Sequence, residues 1–189
     1  MSVTNFWVYN YTPPSASEYV VGDICQKGNF CPQKSTDMTS CYAGFYCPDE
    51  YQQAHDGAKT CREGFYCKGG TFSMTPKNPV YLDNDARKDT AGDICQKGYY
   101  CPGGSSKQFS CESGTFMPYQ MALLQSDCIS CPHGKYCDTA ALWDLSGTTN
   151  DCDAGYYCEL KAINARQNAC GYDEKCESGS EYPIKCAPE

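Results

Sequence analysis

Bulky apolar side chains in this chain come in pairs and then stop. Phe45–Tyr46, Phe65–Tyr66, Tyr99–Tyr100 and Tyr156–Tyr157 each run directly into a cysteine, and Pro, Gly, Ser, Thr and Asp fill the stretches between them. Aromatic pairs bounded by turn formers predict short strands with little helix between them. Met121 to Leu124 and Leu160 to Gln167 are the segments best suited to a helical turn. Residues 1–21 differ. They hold no cysteine, and Val3, Asn5, Trp7, Tyr9 and Tyr11 alternate with Thr4, Phe6, Val8 and Asn10, as in one extended strand that Pro13 and Pro14 end. Such an arm either packs along its own chain or is lent to a neighbour as an added strand. Asn10-Tyr11-Thr12 is an N-glycosylation sequon, which marks Asn10 as a candidate glycan site.

The cysteines fall in a frame, Cys-x-x-Gly-x-(Tyr/Phe)-Cys. It occurs at Cys25–Cys31, Cys41–Cys47, Cys61–Cys67, Cys95–Cys101, Cys131–Cys137 and Cys152–Cys158, with Cys111, Cys128, Cys170, Cys176 and Cys186 outside its strict form. Glycine at the fourth position suits a positive-φ turn or a close backbone approach, and the aromatic before the second cysteine is expected to cover the disulfide. Gly22-Asp23-Ile24-Cys25-Gln26-Lys27-Gly28 recurs unchanged as Gly92 to Gly98, and Cys25, Cys41 and Cys61 map onto Cys95, Cys111 and Cys131 by one shift of 70. That is a duplicated three-module block. The register breaks after Cys137, so the expected organisation is an arm at 1–21, a first block at 22–94, a second at 95–151 and a divergent block at 152–189.

Cysteine supplies 17 of 189 residues, a density that persists as disulfides in an oxidising compartment. A secreted or cell-surface chain is expected. Met1 to Asn5 lacks a basic and apolar leader, so an export signal would have to lie upstream. The odd count leaves at least one thiol for an intermolecular bond or a partner elsewhere. Spacing leaves connectivity open. Closure within each frame pairs Cys41 with Cys47, and Met117, standing where a cysteine is expected, would then be compensated by a Cys111 to Cys128 bond. Closure between frames pairs Cys31 with Cys41, Cys47 with Cys61 and Cys101 with Cys111, and the same ten-residue spacing recurs at Cys176 and Cys186. Either scheme makes a ladder of local loops, and so an elongated tandem array.

A net charge of −8 offers no basic face for nucleic acid. No stretch of eighteen apolar residues is present to span a membrane. Asp83, Asp85 and Asp89 cluster without the glycine and distal glutamate of an EF-hand. Cys128, Cys131, His133 and Cys137 have zinc-like spacing, but two of these cysteines occupy frame positions. His55 and His133 are the only histidines, and no nucleophile motif accompanies either. Cys128 and Cys131 form a Cys-x-x-Cys without a thioredoxin-like βαβ pattern. No metal, cofactor or catalytic residue is expected, and the chain is expected not to be an enzyme.

Cys111-Glu112-Ser113-Gly114-Thr115-Phe116 followed by Cys128-Ile129-Ser130-Cys131-Pro132-His133-Gly134-Lys135-Tyr136 resembles the ephrin-receptor-like cysteine-rich modules, relatives in layout of the tumour-necrosis-factor-receptor repeats. The tight Cys-x-x-Gly-Tyr-Tyr-Cys-Pro form is similar to arrays in protist and algal surface proteins, including mastigoneme-like proteins. The resemblance runs from about residue 22 to the end, and Cys170 departs from it in lacking the fourth-position glycine. It implies extracellular assembly or ligand contact. The expectation is a small disulfide-rich β/irregular chain, a structural subunit of a glycoprotein filament or coat that associates with itself or a related protein. A receptor or surface-antigen ectodomain is the alternative.

Overall fold

The computed structural model describes residues 24–54, 58–76 and 91–187. The arm at 1–21 with its Asn10 sequon, His55 and the acidic run at Asp83, Asp85 and Asp89 lie outside the described residues. The chain divides into two compact units, Met1–Ile94 with Gly103–Lys107, and Cys95–Pro102 with Gln108–Glu189.

Regular structure in the first unit is three antiparallel pairs: β1 (Asn29–Phe30) with β2 (Thr39–Ser40), β3 (Phe45–Tyr46) with β4 (Lys59–Thr60), and β5 (Phe65–Cys67) with β6 (Gly92–Ile94). The second unit has four: β7 (Tyr99–Tyr100) with β8 (Phe109–Ser110), β9 (Thr115–Phe116) with β10 (Ile129–Ser130), β11 (Tyr156–Tyr157) with β12 (Asn168–Ala169), and β13 (Glu174–Lys175) with β14 (Ile184–Lys185). One rule generates nearly all of them. The residues between a frame's fourth position and its second cysteine pair with the residues just before the next frame's first cysteine. The frame leaves room for two strand residues there, which is why most strands have two.

A two-stranded ribbon this short is not stable in water alone, so other forces must hold it. The buried apolar residues are mainly the cysteines themselves, joined by Phe30, Tyr46, Phe65, Met117, Ala122 and Ala162. Among the described residues the one helical segment is a 3-10 turn at Gln125–Asp127, just past Met121 to Leu124. The Asp127 carboxylate accepts the N–H groups of Leu123 (2.8 Å) and Leu124 (3.0 Å) and so ends the extended run before it. Leu160 to Gln167 forms turns and loop rather than helix. The class is the expected small disulfide-rich β/irregular fold, and no described helix is long and apolar enough to cross a membrane.

One expectation is corrected. Two of the aromatics next to a second cysteine cover the following frame's sulfur bridge instead of their own, while Phe65, one residue further from its cysteine, packs on its own Cys61–Cys67 bridge. Tyr100 packs on the cluster of Cys111, Met117 and Ala122, and Tyr136 on that of Cys152, Cys158 and Ala162. Phe30 likewise meets the Tyr42 ring edge-on at 5.5 Å, beside Cys41. Adjacent strand residues point to opposite faces, so an aromatic next to its own cysteine is aimed away from that bridge.

Candidate functional site

Each frame closes on itself. Cys25–Cys31, Cys41–Cys47, Cys61–Cys67, Cys95–Cys101, Cys131–Cys137, Cys152–Cys158 and Cys170–Cys176 are bonded pairs six residues apart. Cys111 bonds Cys128 across seventeen residues. Met117, standing where that frame's second cysteine would be, is buried at 3% exposure and keeps the cysteine's main-chain role. The three thiols of the zinc-like segment are thereby committed to sulfur bridges. Cys186 is the remaining thiol, and it is exposed.

The frames are joined by main-chain bonds in a fixed register. In the first unit, the Gly28 N–H donates to the Cys47 carbonyl (2.9 Å) and the Gly44 N–H to the Cys67 carbonyl (2.8 Å). In the second, Gly98, Gly114, Gly134 and Gly155 donate to Met117, Cys137, Cys158 and Cys176 at 2.8–2.9 Å. The glycine carbonyls are used as well. They accept the N–H of the next frame's first cysteine: Cys41 on Gly28, Cys61 on Gly44, Cys111 on Gly98, Cys131 on Gly114, Cys152 on Gly134 and Cys170 on Gly155. Neighbouring frames are thus tied by a reciprocal pair of bonds at the fourth position. Frame eight has Asp173 there, and the Cys186 N–H donates to its carbonyl (2.8 Å), which places Cys186 as the first cysteine of a ninth frame.

A turn residue that sequence reasoning missed completes the register. Three or four positions past each frame's end, Lys34, Tyr51, Gly70, Gly104, Met121, Ala141, Lys161 and Gly179 all adopt positive φ. From Tyr51 onward each donates its N–H to the first cysteine of the preceding frame: Tyr51 to Cys25, Gly70 to Cys41, Gly104 to Cys61, Met121 to Cys95, Ala141 to Cys111, Lys161 to Cys131 and Gly179 to Cys152. Residue type gives no signal for this position. Only its distance from the cysteine does.

The carbonyls of these turns lie over frame glycines two frames back. A Cβ on Gly28 would stand 2.2 Å from the Gly70 oxygen, on Gly44 2.4 Å from that of Gly104, on Gly98 2.1 Å from that of Ala141, and on Gly134 2.3 Å from that of Gly179. Positive φ and the absence of a Cβ are therefore both needed there. Gly155 has φ of +87° but nothing within 4 Å of its Cβ position.

Polar side chains act locally. The Lys135 ammonium donates to Asp151 Oδ1 (2.6 Å) and to the carbonyls of Gly147 (2.7 Å) and Thr149 (3.0 Å), closing the loop before Cys152. Arg166 donates to Asp153 Oδ2 (2.6 Å) and lies over the Tyr156 ring. That hydrogen bond and charge hold its guanidinium more firmly protonated than usual. The backbone and hydroxyl of Ser146 donate to Asp144 and hold its carboxyl below the ordinary range. Lys175 and Glu177 pair at 2.6 Å, which raises the ammonium and lowers the carboxyl. The Lys135–Asp151 pair is partly buried, with side chains 20% and 17% exposed, whereas the Arg166–Asp153 and Lys175–Glu177 pairs are exposed to solution. His133 stands at the third position of its frame.

Comparison with protein-family models and with curated proteins finds no match to this chain.

Proposed function

We propose that this chain is a non-enzymatic extracellular structural protein, a subunit of a glycoprotein filament or surface coat that self-associates. The observation that carries the reading is the register just described. The repeating residues serve to close frames covalently and to tie each to its neighbour by main-chain bonds, a specification of scaffold. Eight disulfides suit an oxidising, extracellular setting. Large apolar side chains left on the surface support association. Tyr172 is fully exposed, and Tyr119, Tyr182 and Ile184 are at least 60% exposed. Aromatics of this kind are enriched at protein interfaces. The resemblance to ephrin-receptor-like modules and to surface-protein arrays points the same way.

The test is native, non-reducing sedimentation with electron microscopy across a concentration series. Concentration-dependent assemblies are expected. A monodisperse monomer throughout the series would refute the proposal.

A further inference from the structure

The frame Cys170-Gly171-Tyr172-Asp173-Glu174-Lys175-Cys176 is the one with a tyrosine at its third position. That position faces solution along the array, since Ala43, Glu63, Lys97, Ser113, His133 and Ala154 are all exposed there. The full exposure of Tyr172 therefore follows from its place in the frame. Its turn is held firmly. The Glu174 N–H donates to the Gly171 carbonyl (3.2 Å) and the Gly171 N–H to Glu174 Oε2 (2.8 Å), while the Cys170–Cys176 bridge closes the loop beneath. Among the described residues no hydrogen bond or ring contact engages the Tyr172 phenol.

The charge beside it is one-sided. Asp173 and Glu174 follow directly, and Lys175, the next residue, is already paired with Glu177 at 2.6 Å. Other exposed tyrosines lack one of these features. Gly114 to Leu124, around Tyr119, holds no acid. Tyr51 follows Asp49 and Glu50, but it is 40% exposed and its N–H is bound to the Cys25 carbonyl (3.0 Å). Tyr182 has a single adjacent acid, Glu181, with Pro183 on its other side.

We infer that Tyr172 is a site of tyrosine O-sulfation. It rests on the extracellular setting proposed above, because this transfer belongs to the secretory pathway. The donor is a phosphate–sulfate anhydride, phosphoadenosine phosphosulfate. The phenol oxygen bonds to the donor sulfur, the bond from that sulfur to the donor's phosphate oxygen breaks, adenosine bisphosphate leaves, and the phenol proton passes to a base of the transferring enzyme. No oxidation state changes. An enzyme that binds so anionic a donor presents a cationic cleft, and carboxylates flanking an acceptor draw it in. A phenol that stands clear of its own chain enters such a cleft without the frame having to open. The product keeps the ring and adds an anion at its tip, so a contact through Tyr172 is then made to a cationic partner surface.

The test incubates the folded, non-reduced chain with a purified tyrosylprotein sulfotransferase and phosphoadenosine phosphosulfate, and maps its peptides by mass spectrometry. One sulfuryl group is expected on the Cys170–Cys176 loop, resistant to phosphatase. Tyr172→Phe should abolish the labelling and Tyr119→Phe should leave it unchanged. Asp173→Asn with Glu174→Gln should slow it about tenfold at low ionic strength, with an unchanged circular dichroism spectrum because glutamine keeps an acceptor for the Gly171 N–H. The chain taken from its native source should carry the same group. A folded chain that takes no label, label on Tyr51, Tyr119 or Tyr182 in place of Tyr172, or a double variant labelled at the native rate overturns the site. A native chain found outside the cell with Tyr172 unmodified overturns the sulfation and leaves the extracellular reading standing. A native chain held in a reducing compartment overturns both.

Discussion

Gly134 and Gly155 occupy the same place in consecutive frames, share positive φ and make the same reciprocal bonds to the next frame, yet only one of them is crowded. The Gly179 carbonyl lies 2.3 Å from where a Gly134 Cβ would be, and nothing lies within 4 Å at Gly155. The comparison separates two reasons for glycine that the frame motif merges. Positive φ is local and follows from the turn. Close approach is imposed from two frames away and exists only where a later turn has stacked.

The comparison can be broken most forcefully by adding a methyl group. Gly134→Ala combines left-handed strain with an overlap against backbone that cannot rotate aside, and should destabilise the second unit by ~3 kcal/mol or more in chemical denaturation. Removing that region's covalent closure should cost less. The double change Cys152→Ser with Cys158→Ser should lose ~2 kcal/mol, because a loop this short constrains the unfolded chain only modestly. Gly155→Ala, under dilute conditions, should lose about 1 kcal/mol, the left-handed cost alone. A loss equal to that of Gly134→Ala would show that stacking is not what distinguishes the two. The opposite sign is expected at Ala141, a turn residue with φ of 60°. Ala141→Gly should stabilise by ~0.5 kcal/mol by relieving that conformation.

The smallest effect belongs to the exposed pair of Lys175 and Glu177, whose side chains are 67% and 74% exposed. Hydrogen bonding to Lys175 lowers the folded carboxyl below its unfolded value. Its contribution is thus present above the unfolded value and fades as pH falls through the lowered folded one. Glu177→Gln should leave the melting temperature nearly unchanged at neutral pH and flatten only the slight decline in acid.

Much of this organisation is legible in the chain. The frame, its aromatic pairs and its glycines follow from spacing, and the exchange of Met117 for a cysteine at Cys128 points to the Cys111–Cys128 bond. The in-frame scheme could not be separated from the between-frame one by spacing, since both give local loops. Two features escaped for physical reasons. The aromatic's partner is set by strand alternation, which sends Tyr100 and Tyr136 to the following frame. The turn position is filled by Lys34, Tyr51, Met121, Ala141 and Lys161 as readily as by glycine. What the stack uses there is the N–H and carbonyl, which every one of those residues has.

The most direct test of the frame register is disulfide mapping of the native, non-reduced chain by proteolysis and mass spectrometry. Frames that close on themselves require linked pairs Cys25–Cys31, Cys41–Cys47, Cys61–Cys67 and Cys111–Cys128, with Cys186 recovered outside any intrachain bond. Cys31–Cys41, Cys47–Cys61 or Cys101–Cys111 links would contradict it.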